Sequence, residues 1–128
     1  MEENKKKIES FTDLHVWQKG HIFVLHVYKF TKSFPKEEMF GITSQLRRAV
    51  VSFASNIAEG FRRATYPDKI HFYTMALGSL TESQNQLMIS RDLDYISVEQ
   101  FNETARQSEE LSKMTNGLIK ASKSRNQS

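Results

Sequence analysis

The 128-residue sequence predicts an all-α protein, an antiparallel up-down-up-down four-helix bundle. Three observations carry this expectation. Apolar residues recur at spacings of three and four along four separate stretches. Only five Gly and two Pro interrupt the chain, too few for an all-β protein with many turns. Short connectors join the four stretches, which makes consecutive helices antiparallel neighbours. The length is that of one domain, and 38% apolar residues supply its core.

The first helix begins at Thr12 or Asp13, both good capping residues. Leu14, Trp17, His21, Val24 and Tyr28 form one stripe, and Val16, Gly20, Phe23, Val27 and Phe30 a second beside it. Two adjoining stripes imply a helix contacted on more than one side, so Phe23 is expected to face another copy. Ser33-Phe34-Pro35 ends this helix, because proline disfavours helix in the residue before it. Lys36 to Gly41 connect, with Phe34 and Phe40 able to seal the bundle end.

Thr43 is expected to cap the second helix, whose inner face is Leu46, Ala49, Val50, Phe53 and Ile57. Gly60 to Arg63 mark its end, where a glycine and a basic pair suit a C-terminus. Pro67 fits the first turn of the third helix, with Ile70, Tyr73, Leu77, Leu80 and Leu87 inward and Phe72 and Ala76 alongside. Gly78-Ser79 is expected to let another helix approach closely, and Met75, Met88 and Met114 to fill the core. Asp92 to Ile96 turn the chain. Ser97 and Gln100 have capping-box spacing, and Val98, Phe101, Ala105, Leu111, Met114 and Leu118 give the fourth helix its apolar face. Residues 1–11 are read as a flexible N-terminal tail, 12–121 as the bundle and 122–128 as a flexible C-terminal tail.

Several function classes lose support at once. The absence of cysteine removes thiol catalysis, disulfides and cysteine-built zinc sites. No apolar run approaches the roughly 18–20 residues of a membrane span. The opening MEENKKKIES has charge but no apolar segment of a secretory signal, so a cytoplasmic protein without membrane partners is expected. His15, His21, His26 and His71 contain no HExxH pair, so no metal site is assigned. His21 lies in an apolar stripe, where a hydrogen-bonded packing role is expected. No GxGxxG, P-loop or GxSxG stands in the chain, so no cofactor is expected.

The net charge of +3 is unevenly spread. Residues 41–66 hold Arg47, Arg48, Arg62 and Arg63 against Glu59, which is +3. Residues 81–110 hold seven acids against Arg91 and Arg106, which is −5, and the chain from 111 has four bases and no acid. Such asymmetry permits a face for a polyanion, and ordinary surface scatter also produces it.

On a helical wheel at about 100° per residue, Leu46, Val50, Phe53 and Ile57 fall within about 60°. Gln45, Arg48, Ser52, Asn56, Glu59 and Arg63 share a separate arc of about 80°. Ser and Asn are mediocre helix formers, so an organised stripe of them suggests specific hydrogen bonding. One reading is a polar network or interface of Gln45, Ser52, Asn56, Glu59 and Glu82 that fixes helix pairing. The other is a groove in which Arg47, Arg48, Arg62 and Arg63 meet nucleic-acid phosphates. Glu59 and Glu82 as paired catalytic carboxylates lack any third element, so no catalytic residue is assigned and no enzyme is expected. Gly60-Phe61-Arg62-Arg63-Ala64-Thr65-Tyr66 interleaves bases with aromatics, as single-strand binders do, although a helix end with tucked rings reads the same way.

A resemblance adds to these readings. Phe11, Leu14, Val16-Trp17-Gln18, Tyr28, Phe34-Pro35, Gly41, Gln45-Leu46-Arg47-Arg48-Ala49, Ser52 and Asn56-Ile57-Ala58-Glu59-Gly60 carry its first half. Ala76, Gly78-Ser79-Leu80, Glu82 and Tyr95-Ile96 carry the second. The pattern resembles bacterial four-helix bundle proteins encoded in intervening sequences of large-subunit ribosomal RNA genes. It covers about residues 11–96, and the fourth helix matches only in general character. Phe53 and Phe61 stand where smaller or more variable residues are expected. The resemblance implies a homopentamer with an RNA-binding, DNA-binding or adaptor role. That family is akin to the accessory variability proteins of diversity-generating retroelements, which implies a reverse transcriptase as an alternative partner. A purely structural oligomer is the remaining alternative.

Overall fold

A computed structural model describes residues 7–127. They form four helices, α1 (His15–Thr31), α2 (Ile42–Arg62), α3 (Tyr66–Asp92) and α4 (Val98–Asn126), and no strand. Pairs of touching residues fix the directions. Gly20 meets Phe53 and Thr31 meets Arg47 between α1 and α2. Ser52 bonds Ser79 between α2 and α3, and Gln84 bonds Ser108 between α3 and α4. Lys19 pairs with Glu110 and His26 with Gln107, which closes α4 back onto α1. Gly60 against Tyr73 and Arg91 over Phe101 give second pairs for α2–α3 and α3–α4, so in each seam numbers rise on one helix as they fall on the other, the up-down-up-down arrangement expected.

The caps show why the elements start where they do. Thr65 accepts the Asp68 N–H at 3.2 Å, with Pro67 in the first turn of α3. Ser97 and Gln100 complete a reciprocal capping box, each bond 3.0 Å, at the start of α4. Asp94, at φ 61°, reverses the chain between them, a left-handed position that Asp tolerates. Three boundaries differ from expectation. A 3-10 turn over Phe11–Asp13, capped by Ser10, precedes α1. Helix α2 starts from Gly41 rather than Thr43, because Ile42 is already drawn into the core. Helix α4 runs on to Asn126, past Ala121, with Ser122 buried, so the expected C-terminal tail is helical over 122–126. Of the tails, residues 1–6 and 128 lie outside the described residues.

The core joins Phe23, Val27 and Phe30 of α1 to Leu46, Val50, Phe53 and Ile57 of α2, Leu80 and Leu87 of α3 and Leu111 of α4. Phe23 is therefore inside its own chain, 0% exposed, and not at a contact between copies. The outward stripe is the other one, since His21 and Tyr28 are exposed and Trp17 and Val24 half-buried. Phe34 seals the bundle end against Phe30 and Tyr95, whose hydroxyl donates to Glu38 at 2.8 Å. Phe40 does not, standing 94% exposed. Val98, Met75 and Met88 are also exposed rather than core.

Along α4 the predicted Leu111 is buried and Phe101, Met114 and Leu118 pack against the core, but the other buried positions are Thr104, Ser108, Thr115 and Ser122. Thr104 and Thr115 each donate to the carbonyl four residues back at 2.8 Å, and Ser108 to that of Ala105 at 3.0 Å. Ser83 and Ser90 of α3 do likewise. A hydroxyl bonded to its own helix is small and satisfied, so it can be buried.

Two helical glycines have opposite roles. A Cβ on Gly60 would lie 2.6 Å from Tyr73 Cε1 and 3.2 Å from Phe72 Cβ, so Gly60 permits α3 to approach α2 and does not end the helix. Gly78, expected at a close approach, has nothing within 4 Å of that position. Gly60→Ala should therefore destabilise by about 1–3 kcal/mol of overpacking, less the helix-propensity gain. Gly78→Ala should stabilise by roughly 0.5–1 kcal/mol. Urea denaturation midpoints check both, and equal signs would contradict this packing.

Candidate nucleic-acid interface

The four arginines selected from sequence do not form one patch. Arg47 is taken up by the fold. Its Nε donates to Thr31 Oγ1 at 2.8 Å, and its guanidinium lies 4.7 Å from the Tyr28 ring centre. Thr31 in turn donates to the Val27 carbonyl, so Arg47 finishes the C-terminus of α1. Arg48 is exposed on α2 and enters no ion pair among the described residues. Arg62 and Arg63 stand a helix length away, at the other end of α2.

Glu59 binds both of these arginines, Arg62 at 3.2 Å and Arg63 at 3.0 Å. Arg62 stays largely exposed. Arg63 also lies 4.4 Å over the Phe72 ring, and its buried Nε has no partner among the described residues. Its aliphatic stem and guanidinium plane thus cover the α2–α3 seam while its tip reaches solvent. Arg62 is the freer cation of the two.

The polar stripe is a ladder along α2 with one rung to α3. Asn56 Nδ2 donates to the Ser52 carbonyl at 3.0 Å and to Ser52 Oγ at 3.2 Å, and Ser52 meets Ser79 at 2.8 Å. Gln45 is exposed and Glu82 receives Gln86 Nε2 at 3.3 Å, so neither joins that ladder. Glu59 and Glu82 are occupied separately, each by residues of its own helix. Among the described residues no three His, Cys, Asp or Glu gather as a metal cluster. His21 stacks on Trp17 at 4.8 Å on the surface, and His26 sits between Gln107 and Glu103.

Lys69 is a residue that local sequence gave no reason to select. Its ammonium donates to the carbonyls of Gly60 and Phe61 and lies 5.4 Å over the Phe61 ring. It thereby closes the C-terminus of α2 from the first turns of α3. Desolvation by burial holds its pKa below the ordinary lysine value. Beside it opens a cleft of about 470 Å³, lined by Phe61, Tyr66, Lys69, Tyr73, Leu118 and Arg125 among others. Arg125 comes from the last turn of α4, together with Lys123. Two basic segments far apart in sequence thus meet at one end of the bundle, with aromatic rings between them.

Comparison with known proteins follows the fold. A family model described as 23S rRNA-intervening sequence protein matches residues 12–117. A crystal structure of a protein with unknown function from the S23 ribosomal protein family of Bacteroides thetaiotaomicron is 26% identical, with a TM-score of 0.74. The similarity covers 82% of this chain and 98% of that one. No curated protein matches the sequence. No helix is long and apolar enough to cross a membrane among the described residues.

Proposed function

The chain belongs to the 23S rRNA-intervening sequence protein family, and from that premise we propose that it is a non-enzymatic, homopentameric RNA-binding protein. One observation carries the nucleic-acid reading. The ends of α2 and α4 and the start of α3 bring Arg62, Lys69 and Arg125 to one end of the bundle. Lys120, Lys123 and Arg125 enter no ion pair among the described residues, so their charge is available to a polyanion.

Assembly rests on a different observation. Ile22 and Leu25 of α1 are 58% and 56% exposed, Val51 of α2 is exposed at the α1–α2 groove, and Phe40 is 94% exposed. Trp17, His21, Val24, Val51, Ala54 and Ala58 line an apolar groove of about 290 Å³ between α1 and α2. An exposed apolar groove of this kind supports a protein contact. A second copy of the chain is the occupant proposed here.

The direct test is binding of the unmodified protein to RNA near 50 mM salt, with sequencing of RNA that copurifies at low salt. A salt-sensitive complex is expected, and no measurable binding would reject the reading. Copurification of a reverse transcriptase would favour the adaptor role instead. A large particle that binds neither would leave the polar stripe as structural glue.

A further inference from the structure

The cleft at the basic end has the make-up of a subsite, and this goes further than a charged surface. Its volume, about 470 Å³, lies within the range of roughly 300–1,000 Å³ typical of small-ligand pockets. Leu14, Leu118 and Ala121 give it apolar lining, and Phe61, Tyr66 and Tyr73 bring aromatic rings to it. Lys69 and Arg125 bring positive charge to the same cavity.

Each group can be assigned a task from its surroundings. Lys69 spends two of three N–H donors on the Gly60 and Phe61 carbonyls, which leaves one donor for a ligand. Arg125 has five donors and no ion-pair partner among the described residues. The Lys69 ammonium lies over the Phe61 ring and Tyr73 is only 3% exposed, so Tyr66 is the ring assigned to stacking. A ligand that satisfies all of these is a flat, apolar ring carrying an anion at one edge. Inorganic phosphate uses only the cations, and an aliphatic anion forfeits the stacking.

We propose that this cleft seats one nucleotide of a single strand, its base stacked on Tyr66 and its phosphate between Lys69 and Arg125. The proposal rests on the nucleic-acid reading above and adds to it a base-dependent term. Simple phosphate neutralisation ignores whether a base is present, whereas stacking on an aromatic ring is lost with the base.

The probes are a fluorescein-labelled ten-nucleotide oligoadenylate and its fully abasic counterpart, compared by anisotropy on the full-length protein. Stacking of one base predicts roughly 5- to 150-fold tighter binding of the oligoadenylate. Tyr66→Ala should collapse that ratio towards one, and Tyr66→Phe should preserve it. Arg125→Gln should weaken both strands by a similar factor. Far-UV circular dichroism checks that each variant keeps its helices. Equal affinity of the unmodified protein for the two strands overturns the subsite yet leaves the phosphate-binding interface in place. A ratio untouched by Tyr66→Ala does the same. Failure to bind either strand overturns the subsite together with the reading on which it rests.

Discussion

Phe23→Glu should leave the chain largely unfolded at 25 °C, whereas Leu25→Glu, two residues on, should fold normally and lose its neighbours. Phe23 is completely enclosed by the core of its own chain, and Leu25 is 56% exposed. Truncating a buried Phe costs about 3–5 kcal/mol, and an unpaired buried carboxylate adds several more. A domain of this size has only about 5–15 kcal/mol in total. On Leu25 the same substitution meets water in the free chain and would meet apolar surface in the proposed assembly. Far-UV circular dichroism should therefore report lost helix for Phe23→Glu and native helix for Leu25→Glu. Light scattering after size exclusion should give about five chains for the unmodified protein and a particle near 14.9 kDa for Leu25→Glu. A helical, cooperatively unfolding Phe23→Glu would contradict the packing of α1. An unmodified protein that runs as a single chain at micromolar concentration would contradict the assembly.

The contrast between these two residues also shows what the sequence made legible. Periodicity located two stripes on α1, but their apolar content is similar, and nothing local says which one the rest of the chain will claim. Gly20 decides it, because the absence of a side chain lets the Phe53 ring approach to where a Cβ would stand 2.8 Å away. The inner face of α2 was legible, since its apolar and polar arcs are sharply separated and every predicted inner residue is buried, although its start at Gly41 was not. Helix α4 was legible in part. Its apolar stripe is only part of the answer: Leu111 is buried and Phe101, Met114 and Leu118 pack against the core, but the most buried positions beside them are Thr and Ser, whose hydroxyls are satisfied by their own helix and so leave no hydropathy signal.

The candidate site divides in the same way. Arg62, Phe61 and Tyr66 were visible as a basic-aromatic run, because they are contiguous. Arg47 was visible as a charge, but its bond to Thr31 spans 16 residues and depends on how α1 meets α2. Lys69 and Arg125 join the site only through the seams among α2, α3 and α4, which no single helix specifies.

The largest change in binding should come from Arg62→Gln combined with Arg63→Gln. Five copies of a chain of net +3 would repeat the basic end around the symmetry axis. Later contacts then form at high effective concentration, so a weak site becomes a strong one. Each neutralised phosphate releases condensed counterions, and about four to eight contacts on a single strand predict a log–log salt slope of roughly −3 to −6. Removing two cations per copy should flatten that slope by at most about 1.4 for every copy in contact and weaken binding at least roughly tenfold near 50 mM salt. Arg62→Gln alone should account for most of this, because Arg63 is partly committed to the Phe72 ring. Glu59→Gln should act in the opposite direction, since it frees both guanidiniums from the carboxylate that now holds them at 3.0–3.2 Å. Arg47→Gln should lower stability and leave the salt slope unchanged, because its charge is spent on the end of α1. Anisotropy titrations at several salt concentrations, with particle mass checked for each variant, separate these outcomes. An unchanged slope in the Arg62/Arg63 double variant would remove this end of the bundle from the interface.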